Sequence, residues 1–355
     1  MLTQHQSERI QALRYPLIIG VVLIHAATFN VDILQDNFSA INRFIINYFS
    51  HSLGRLSVPF LFMLSSFFLY SKLVGGISSY KTQMSKRIKG LLLPYILWNL
   101  IVLGISVAAE LVPSLSAMIS SDRPRFSDMS FIQLFSTTFG FSSYPISYQF
   151  WFIRNLFLLC LISPVFFILK SEVYKVFFLF FLALLWVFNP VLEYSEAIES
   201  VTFFYVGFLL SRSNKWFDFI DKNRSILIFF FIITSISDAL LRNTFTGLMI
   251  HKISILLGCA FLISVSLSIV DSKNYFVKNL LVSLGGASFF VFAAHEPTLT
   301  VVRKVLYKTV QFSGDSYTTF IYFCSTFVTV VICTFVYYVL SAISLKYFSY
   351  LTGGR

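Results

Sequence analysis

The chain has 355 residues, of which 57% are hydrophobic, 18% aromatic and 12% charged. Soluble domains contain about 45–50% apolar and about 25% charged residues, so this composition excludes a soluble protein and predicts an all-α polytopic membrane protein. The net charge of +11 does not indicate nucleic-acid binding, because the basic residues form short clusters between apolar runs, as they do in cytoplasmic loops. No segment has the charge density of a soluble domain, and residues 1–355 are expected to form a single transmembrane domain.

Apolar runs of roughly 20 residues, the length that crosses a bilayer as a helix, occur about ten times along the chain. The sequence therefore predicts about ten transmembrane helices, and the polar residues inside several of them predict a central polar cavity. The predicted spans lie near residues 16–34, 56–74, 91–112, 150–169, 173–192, 197–211, 225–242, 251–270, 284–302 and 319–343.

The loops between these spans differ in their content of lysine and arginine. Loops on the same side as both chain ends hold roughly twice as many of these residues as the others, and the positive-inside rule then places both termini in the cytoplasm. The longest loop, about 113–149, is external in this topology and rich in serine and proline. Its middle, MSFIQLFSTTFGF at 129–141, is apolar enough to predict a short helix along the membrane surface.

Arg14 and His25 bound the stretch RYPLIIGVVLIH in the first span. They are eleven positions apart, so on one helix they differ by ~20° in direction and by ~16 Å along the axis. A cation and an imidazole on one face of a membrane helix are costly to leave in lipid, which predicts a polar lining for that face. The alternative for His25 is a hydrogen bond to a neighbouring helix without a role in chemistry. Asp32 lies on the same face at the outer end, where it either joins this lining or is solvated.

Two further groups of polar residues interrupt later spans. Arg154 in WFIRNL lies near the external end of the fourth span, where it either reaches the lipid headgroups or donates to a carboxylate or to the carbonyl of a transferred group. Tyr148 and Trp151 nearby form either an interfacial aromatic belt or a platform for sugar rings. His295 and Glu296 lie within the ninth span, and an adjacent ionisable pair is expensive in lipid, which favours a position facing a cavity.

Local motifs for metals and nucleotides are not found in the sequence. It contains no phosphate-binding loop and no dinucleotide fingerprint. Its five histidines show neither an i, i+4 pair nor HExxH spacing, so no metal site is predicted. The four cysteines lie in apolar runs without CxxC spacing and are expected to be small buried hydrophobic residues.

The spacing of Arg14 and His25 resembles the Arg-x10-His signature of the acyltransferase type 3 family of membrane acyltransferases, which includes the O-acetyltransferases of bacterial surface polysaccharides. The resemblance covers residues from about 10 to 340, in family order. The sequence departs from the family pattern at Ser66, where a glycine is usual, and at Glu296, which separates the late histidine from the proline. The similar stretches are SVPFLFMLSSFFLY (57–70), RIKGLLLPYILWNL (87–100), YPISYQFWFIRNLFLL (144–159), FFYVGFLLSR (203–212) and SFFVFAAHEP (288–297).

This resemblance implies an O-acyltransferase of the bacterial inner membrane that moves an acetyl group from cytoplasmic acetyl-CoA to a hydroxyl of a surface glycan or lipid-linked sugar. His25 is expected to act as the general base, with Arg14 as the second catalytic residue at the inner end of the same face. The implied partners are acetyl-CoA, a lipid-linked or nascent polysaccharide, and membrane lipids.

The resemblance also implies two sets of binding residues. The phosphates of the donor require cations at the inner surface, although the same cations are also explained by membrane topology alone. The residues predicted to bind the donor are Arg14, Lys86, Arg87 and Lys89. The residues predicted to bind the acceptor or the transferred group are Tyr148, Trp151, Arg154, His295 and Glu296.

Two other classes of protein fit parts of the pattern. A transporter of small substrates or glycan units would also have about ten spans with central polar residues, but carriers usually show internal repeats and broken helices, and the sequence shows no repeat. A purely structural subunit of an envelope complex does not explain why Arg14 and His25 share a face. Release of free CoA from acetyl-CoA distinguishes the acyltransferase from both.

Overall fold

The computed structural model describes residues 3–27, 39–73, 76–112, 125–188, 195–213, 215–272, 275–310, 315–343 and 347–354. Every regular element in these residues is helical, which confirms the predicted all-α class. Seven helical segments are long and apolar enough to cross a membrane. An eighth span results if two further helices, which meet at an angle of 66°, form one broken span. The protein therefore has the architecture of a multi-pass membrane protein.

The helices are numbered here in chain order. Those of the first half are α1 (Gln4–Ala27), α2 (Ala40–Asn47), α3 (Ser57–Tyr70), α4 (Gly76–Arg87), α5 (Leu93–Leu111), α6 (Phe131–Phe139) and α7 (Trp151–Ile162). Those of the second half are α8 (Glu172–Val187), α9 (Ser195–Leu210), α10 (Lys215–Lys222), α11 (Arg224–Leu241), α12 (Phe245–Val270), α13 (Tyr275–Leu284), α14 (Ser288–Thr309), α15 (Asp315–Ala342) and α16 (Phe348–Leu351). Wider or tighter helical turns join α2 to α3 and α4 to α5, so that Ala40–Tyr70 and Ser78–Leu111 each form one candidate span.

The predicted number of about ten spans is not confirmed. The predicted spans 173–192 and 197–211 correspond to α8 and α9, which contain 16 residues each. At 1.5 Å per residue such a helix is about 24 Å long, less than the ~30 Å of the hydrocarbon core. The residues between these two helices, 189–194, lie outside the described part of the chain.

Helix α1 occupies the centre of the helical assembly. It begins at Gln4 rather than near residue 16, and Pro16 lies inside it. The helix packs against α3, α12, α13, α14 and α15, and most of the residues that it buries in these contacts are aliphatic. Arg14 and His25 therefore lie on one continuous helix, as predicted, whereas Asp32 lies outside the described residues.

A close contact between backbones fixes α1 against the turn that precedes α3. A Cβ atom on Gly54 would lie 2.9 Å from the Gly20 carbonyl oxygen and 2.9 Å from Ile24 Cγ1. Such distances are shorter than non-bonded carbon and oxygen atoms tolerate, so only glycine fits at this position. The contact places the end of α1 that carries His25 beside the start of α3.

The predicted helix within 129–141 is confirmed as α6. Ser130 caps its start, because the Ser130 hydroxyl accepts from the Gln133 backbone N–H and the Gln133 side chain accepts from Ser130 in return. The helix ends at Gly140, whose φ of 64° is left-handed and suits glycine. Phe131 and Ile132 are each 80% exposed, which agrees with a helix whose apolar side faces lipid. Residues 113–124 of the predicted loop lie outside the described residues.

Candidate active site

Four of the predicted site residues meet at one end of α1. The Nδ1 atom of His25 lies 3.0 Å from the Tyr148 hydroxyl, and this hydroxyl donates to Glu296 Oε1 at 3.2 Å. The rings of His25 and His295 lie 5.2 Å apart between centroids. The group combines side chains from α1, from the turn before α7 and from the middle of α14. It is therefore built by tertiary packing and not by one local motif.

With Glu296 ionised, the hydrogen bonds of Tyr148 imply one tautomer of His25. The Tyr148 hydroxyl has a single hydrogen, which it donates to the carboxylate of Glu296, because an ionised carboxylate can only accept. The contact between His25 Nδ1 and the Tyr148 oxygen then requires Nδ1–H as the donor. In the neutral ring this leaves the lone pair on Nε2. The series Glu296, Tyr148 and His25 thus orients an imidazole in the same way that a carboxylate orients the histidine of a catalytic triad, with a tyrosine inserted between them.

A break in α14 brings Glu296 to this position. Glu296 has non-helical backbone angles, φ −106° and ψ 128°, immediately before Pro297. Proline has no backbone N–H, so the Ala293 carbonyl loses the donor that a regular helix would provide. The side chain of Gln149 replaces that donor, since its Nε2 donates to the carbonyls of Ala293 at 3.2 Å and Glu296 at 3.4 Å. This bridge ties the segment that carries Tyr148 to the break that presents Glu296.

Two buried polar atoms at the same place have no partner among the described residues. His295 is fully buried and its Nδ1 lies 2.6 Å from the Phe292 carbonyl, which can only accept, so Nδ1 carries the hydrogen. The other nitrogen, His295 Nε2, and the side-chain oxygen Gln149 Oε1 make no hydrogen bond within the described chain. A buried acceptor without a donor costs about 1–3 kcal/mol, so both atoms suit a ligand that brings a hydroxyl or an amide N–H.

The last turn of α1 is held from outside by two side chains. Arg303 Nη1 donates to the Ala26 carbonyl at 3.2 Å, and the Tyr322 hydroxyl donates to the Leu23 carbonyl at 3.2 Å. These two donors hold the turn of α1 that contains His25 against α14 and α15. Arg303 also lines a small recess next to Ala26.

Comparison with protein families agrees with this arrangement. The family model described as an acyltransferase domain, of type 3, matches residues 7–339, which is nearly the whole chain. The chain belongs to the acyltransferase type 3 family. Comparison with curated proteins and with solved structures gave no match. The polar group around His25 therefore lies in a membrane acyltransferase, and it is the candidate active site of this acyltransferase.

The other predicted acceptor residues of this type 3 acyltransferase lie at different distances from that group. Trp151 follows Tyr148 by one helical turn and packs near the ring of Phe62, 6.3 Å away between centroids. Arg154 does not meet the group around His25. Its Nη1 donates to the Gly140 carbonyl and, at 3.2 Å, to the Ser143 carbonyl. Arg154 therefore fastens the loop that leads from α6 to Tyr148.

Of the predicted donor-binding cations, Arg14 lies on α1, and the other three lie at the end of α4 and in the turn before α5. Arg14 is half-buried, and its guanidinium makes no hydrogen bond or ion pair with the residues that the structure describes. Lys86 and Lys89 are exposed, whereas Arg87 Nη2 donates to the Ser65 carbonyl at 3.1 Å.

The predicted central cavity is not confirmed, since the polar side chains around His25 pack against one another in the described residues. The group is nevertheless open on one side, because Tyr148 is 38% exposed. Three residues of this acyltransferase that help to build the site were not identified from the sequence: Gln149, Thr300, whose hydroxyl donates to Glu296 Oε2 at 2.9 Å, and Arg303. Only the role of Gln149 has a signal in the sequence. Pro297 has no backbone N–H, so the carbonyl four residues before it requires another donor.

Proposed function

We propose that this protein is an O-acetyltransferase of the bacterial inner membrane that transfers the acetyl group of acetyl-CoA to a hydroxyl of a surface glycan or lipid-linked sugar. The observation that carries the proposal is the oriented imidazole of His25, held by Tyr148 and Glu296 next to His295 in a membrane acyltransferase. An imidazole with its lone pair on a defined nitrogen is the group that acyl transfer to a hydroxyl requires.

The proposed topology agrees with the contacts at the N-terminal end of α1. His5 pairs with Asp271 and Glu8 pairs with Lys278, and Asp271 and Lys278 belong to a segment predicted to be cytoplasmic. These pairs gather chain segments of the same predicted side at one end of the molecule. His25 lies toward the opposite end of α1, so acceptor and donor approach it from different sides of the membrane.

The donor is proposed to bind with its phosphates near Arg14, Lys86, Arg87 and Lys89. A half-buried arginine without an ion-pair partner in the described chain provides five N–H donors that phosphate oxygens can accept. Arg14 lies ~16 Å from His25 along the axis, a separation that the extended pantetheine arm of CoA bridges. The thioester is thereby brought to His25 while the charged part of CoA stays at the inner surface.

The proposed reaction uses His25 twice. The acceptor hydroxyl oxygen attacks the thioester carbonyl carbon as its proton moves to His25 Nε2. The tetrahedral intermediate then collapses, the carbon–sulfur bond breaks, and the CoA sulfur takes the proton from the imidazolium. The products are an acetyl ester and free CoA, and His25 returns to its neutral state. Glu296 and Tyr148 stabilise the transient imidazolium through the Nδ1–H bond.

The test of this function is release of CoA thiol by the purified protein in detergent or nanodiscs. With acetyl-CoA and a mixture of candidate glycan acceptors, we expect thiol release that depends on the acceptor, together with an acetyl mass increase on that acceptor. Retention of acetyl-CoA alongside movement of a solute across vesicles would support a transporter and would contradict the proposal.

Substitution of Tyr148 by phenylalanine tests the orienting series. The Tyr148→Phe variant keeps the ring but removes the hydroxyl between His25 and Glu296. A hydrogen bond to a charged group contributes about 1.5–3 kcal/mol, which corresponds to a fall in kcat of roughly 10- to 100-fold. The KM for acetyl-CoA is expected to stay unchanged, because Tyr148 is remote from the cations. Tyr95→Phe is the matched control, since it also removes one tyrosine hydroxyl, which donates to the Phe139 carbonyl at 2.7 Å, and an equal loss of kcat in both variants would contradict the orienting role.

A further inference from the structure

A second polar cluster lies apart from His25, between the turn before α3 and the helices α11 and α12. Asp238 of α11 is fully buried. His251 Nδ1 of α12 lies 3.0 Å from Asp238 Oδ2, and His51 Nε2 lies 3.6 Å from Asp238 Oδ1. One nitrogen from each histidine and a carboxylate oxygen lie within 4.8 Å of one another. The proposed function assigns no role to these three residues.

The separations match those of ligands around one metal ion. Zinc binds histidine nitrogen and carboxylate oxygen at about 2.0–2.2 Å in a tetrahedron, which places neighbouring ligand atoms about 3.4 Å apart. Measured from one carboxylate oxygen, Asp238 Oδ1, the separations are 3.2 Å to His251 Nδ1 and 3.6 Å to His51 Nε2, on either side of this value. The rings of His51 and His251 are stacked, 4.1 Å apart and 14° from parallel, so an ion that takes the in-plane lone pair of both histidines requires one ring to turn about its Cβ–Cγ bond.

The surroundings of the cluster support its ligands as they do in metal sites. The Ser52 hydroxyl donates to Asp238 Oδ2 at 2.8 Å, and hydrogen bonds of this kind orient ligating carboxylates. Two cationic residues nearby are directed to other partners. Arg242 donates to Asn47 Oδ1, and the Lys252 ammonium lies 4.6 Å from the Trp186 ring centroid. Among the described residues, Ser52 and His251 make hydrogen bonds to this carboxylate, and the charges of Arg242 and Arg55 also act on the cluster.

We propose that His51, Asp238 and His251 bind one divalent transition-metal ion, of which zinc fits the ligand set best. Imidazole nitrogen with carboxylate oxygen suits zinc and its first-row neighbours, whereas calcium and magnesium require mainly oxygen ligands. Three protein ligands leave a fourth position, and the side chains of His51 and His251 are 18% and 12% exposed, so water or an anion from outside can occupy it.

The site would join parts of the fold that are far apart in sequence. His51 belongs to the helical turn Tyr48–Leu53, which leads directly to Gly54, and Gly54 packs against α1 beside Ile24. Asp238 and His251 belong to two helices that pack along each other. A metal bound here fixes α11 and α12 to the segment that supports the end of α1. We therefore expect the metal to stabilise the fold, whatever occupies its fourth position.

Metal content is the first measurement. The protein is purified with an affinity tag that contains no histidine, exposed to zinc, and dialysed. We expect about one zinc per chain by elemental analysis, and replacement by Co²⁺ should give the visible absorption of a tetrahedral cobalt site. Removal of zinc with a chelator should lower the thermal unfolding midpoint, and added zinc should restore it.

Variants identify the ligands. His51→Ala and His251→Ala should each reduce bound zinc to the background level and abolish the cobalt absorption. The matched control is His5→Ala, since His5 also pairs with an aspartate, Asp271 at 2.7 Å, but is half exposed and belongs to no such cluster in the described chain. His5→Ala should keep about one zinc per chain. Wild-type protein without bound zinc after this treatment, or equal loss of zinc in His5→Ala, would overturn the proposal.

Discussion

The His25→Ala variant is expected to lose acetyl transfer by about 10²–10⁴-fold, the contribution of a positioned general base. The loss is expected in kcat, because no contact of His25 involves the cations proposed to hold CoA. Binding of acetyl-CoA, measured by calorimetry or by protection against thermal unfolding, should remain. The measurement is initial-rate release of CoA thiol by purified variants at matched protein concentration.

A control on the same helix separates chemistry from folding. His5→Ala removes the exposed histidine near the start of α1, about 30 Å from His25 along the helix axis, and should retain wild-type activity. Both variants should show the same elution profile and a similar unfolding midpoint. A His25→Ala protein that folds normally and still turns over at a rate near wild type would exclude His25 as the general base.

Combined variants show whether Glu296 and Tyr148 act through His25. Residues that act as a unit have effects that do not add. Glu296→Gln and Tyr148→Phe should each lower kcat in the wild-type background, but neither should lower it further once His25 is alanine. Additive losses would instead mean that Glu296 and Tyr148 contact the acceptor directly and do not act through His25.

The sequence predicted the members of this group for a simple reason. Histidine, glutamate and arginine are rare inside apolar spans because lipid does not solvate them, so His25, His295 and Glu296 stood out by their position alone. Their mutual contacts were not predictable, since Tyr148 is 123 positions from His25 and 148 from Glu296. The meeting of these residues depends on how α1, α7 and α14 pack, which no local pattern encodes.

The same limitation explains Arg154 and the second histidine cluster. A cation near the end of a span has the same sequence pattern whether it contacts a substrate or loop carbonyls, and only the position of Gly140 and Ser143 shows that Arg154 fastens a loop. His51, Asp238 and His251 carry no short spacing because they come from three separate elements. An expectation of no metal site based on local spacing therefore does not address a cluster assembled by tertiary contacts.

Arg9 provides a further case. It precedes the first predicted span, where the positive-inside rule treats an arginine as a cytoplasmic loop charge, yet it is part of the buried structure. Its side chain is 1% exposed and its two terminal nitrogens donate to both oxygens of Asp221, at 2.7 Å each. Two more contacts complete the set, to the Ser266 hydroxyl at 3.2 Å and the Ile263 carbonyl at 2.9 Å. The partner lies 212 positions away, so no local pattern in the sequence indicates the pair.

Arg9→Met is expected to destabilise the folded protein strongly while leaving the residues around His25 untouched. Removal of one partner from a buried ion pair costs about 3–5 kcal/mol, and the lower end applies because the Asp221 side chain is 25% exposed. The unfolding midpoint in detergent should fall by about 5–10 °C. Arg9→Lys should also lower it, because a lysine ammonium does not reproduce the two parallel bonds of the guanidinium.

Two comparisons show whether this loss comes from an uncompensated buried carboxylate. Arg9→Met combined with Asp221→Leu should recover most of the midpoint, since replacing both members of a buried pair by apolar residues is often neutral. Glu8→Gln removes the neighbouring pair with Lys278, which is more exposed, and should change the midpoint far less. Two results would contradict this explanation: an equally large fall of the unfolding midpoint in Glu8→Gln, or no recovery of the midpoint in the double variant. Either result would mean that the whole N-terminal turn of α1 holds α1 to α10 and α12, and that the Arg9–Asp221 pair does not.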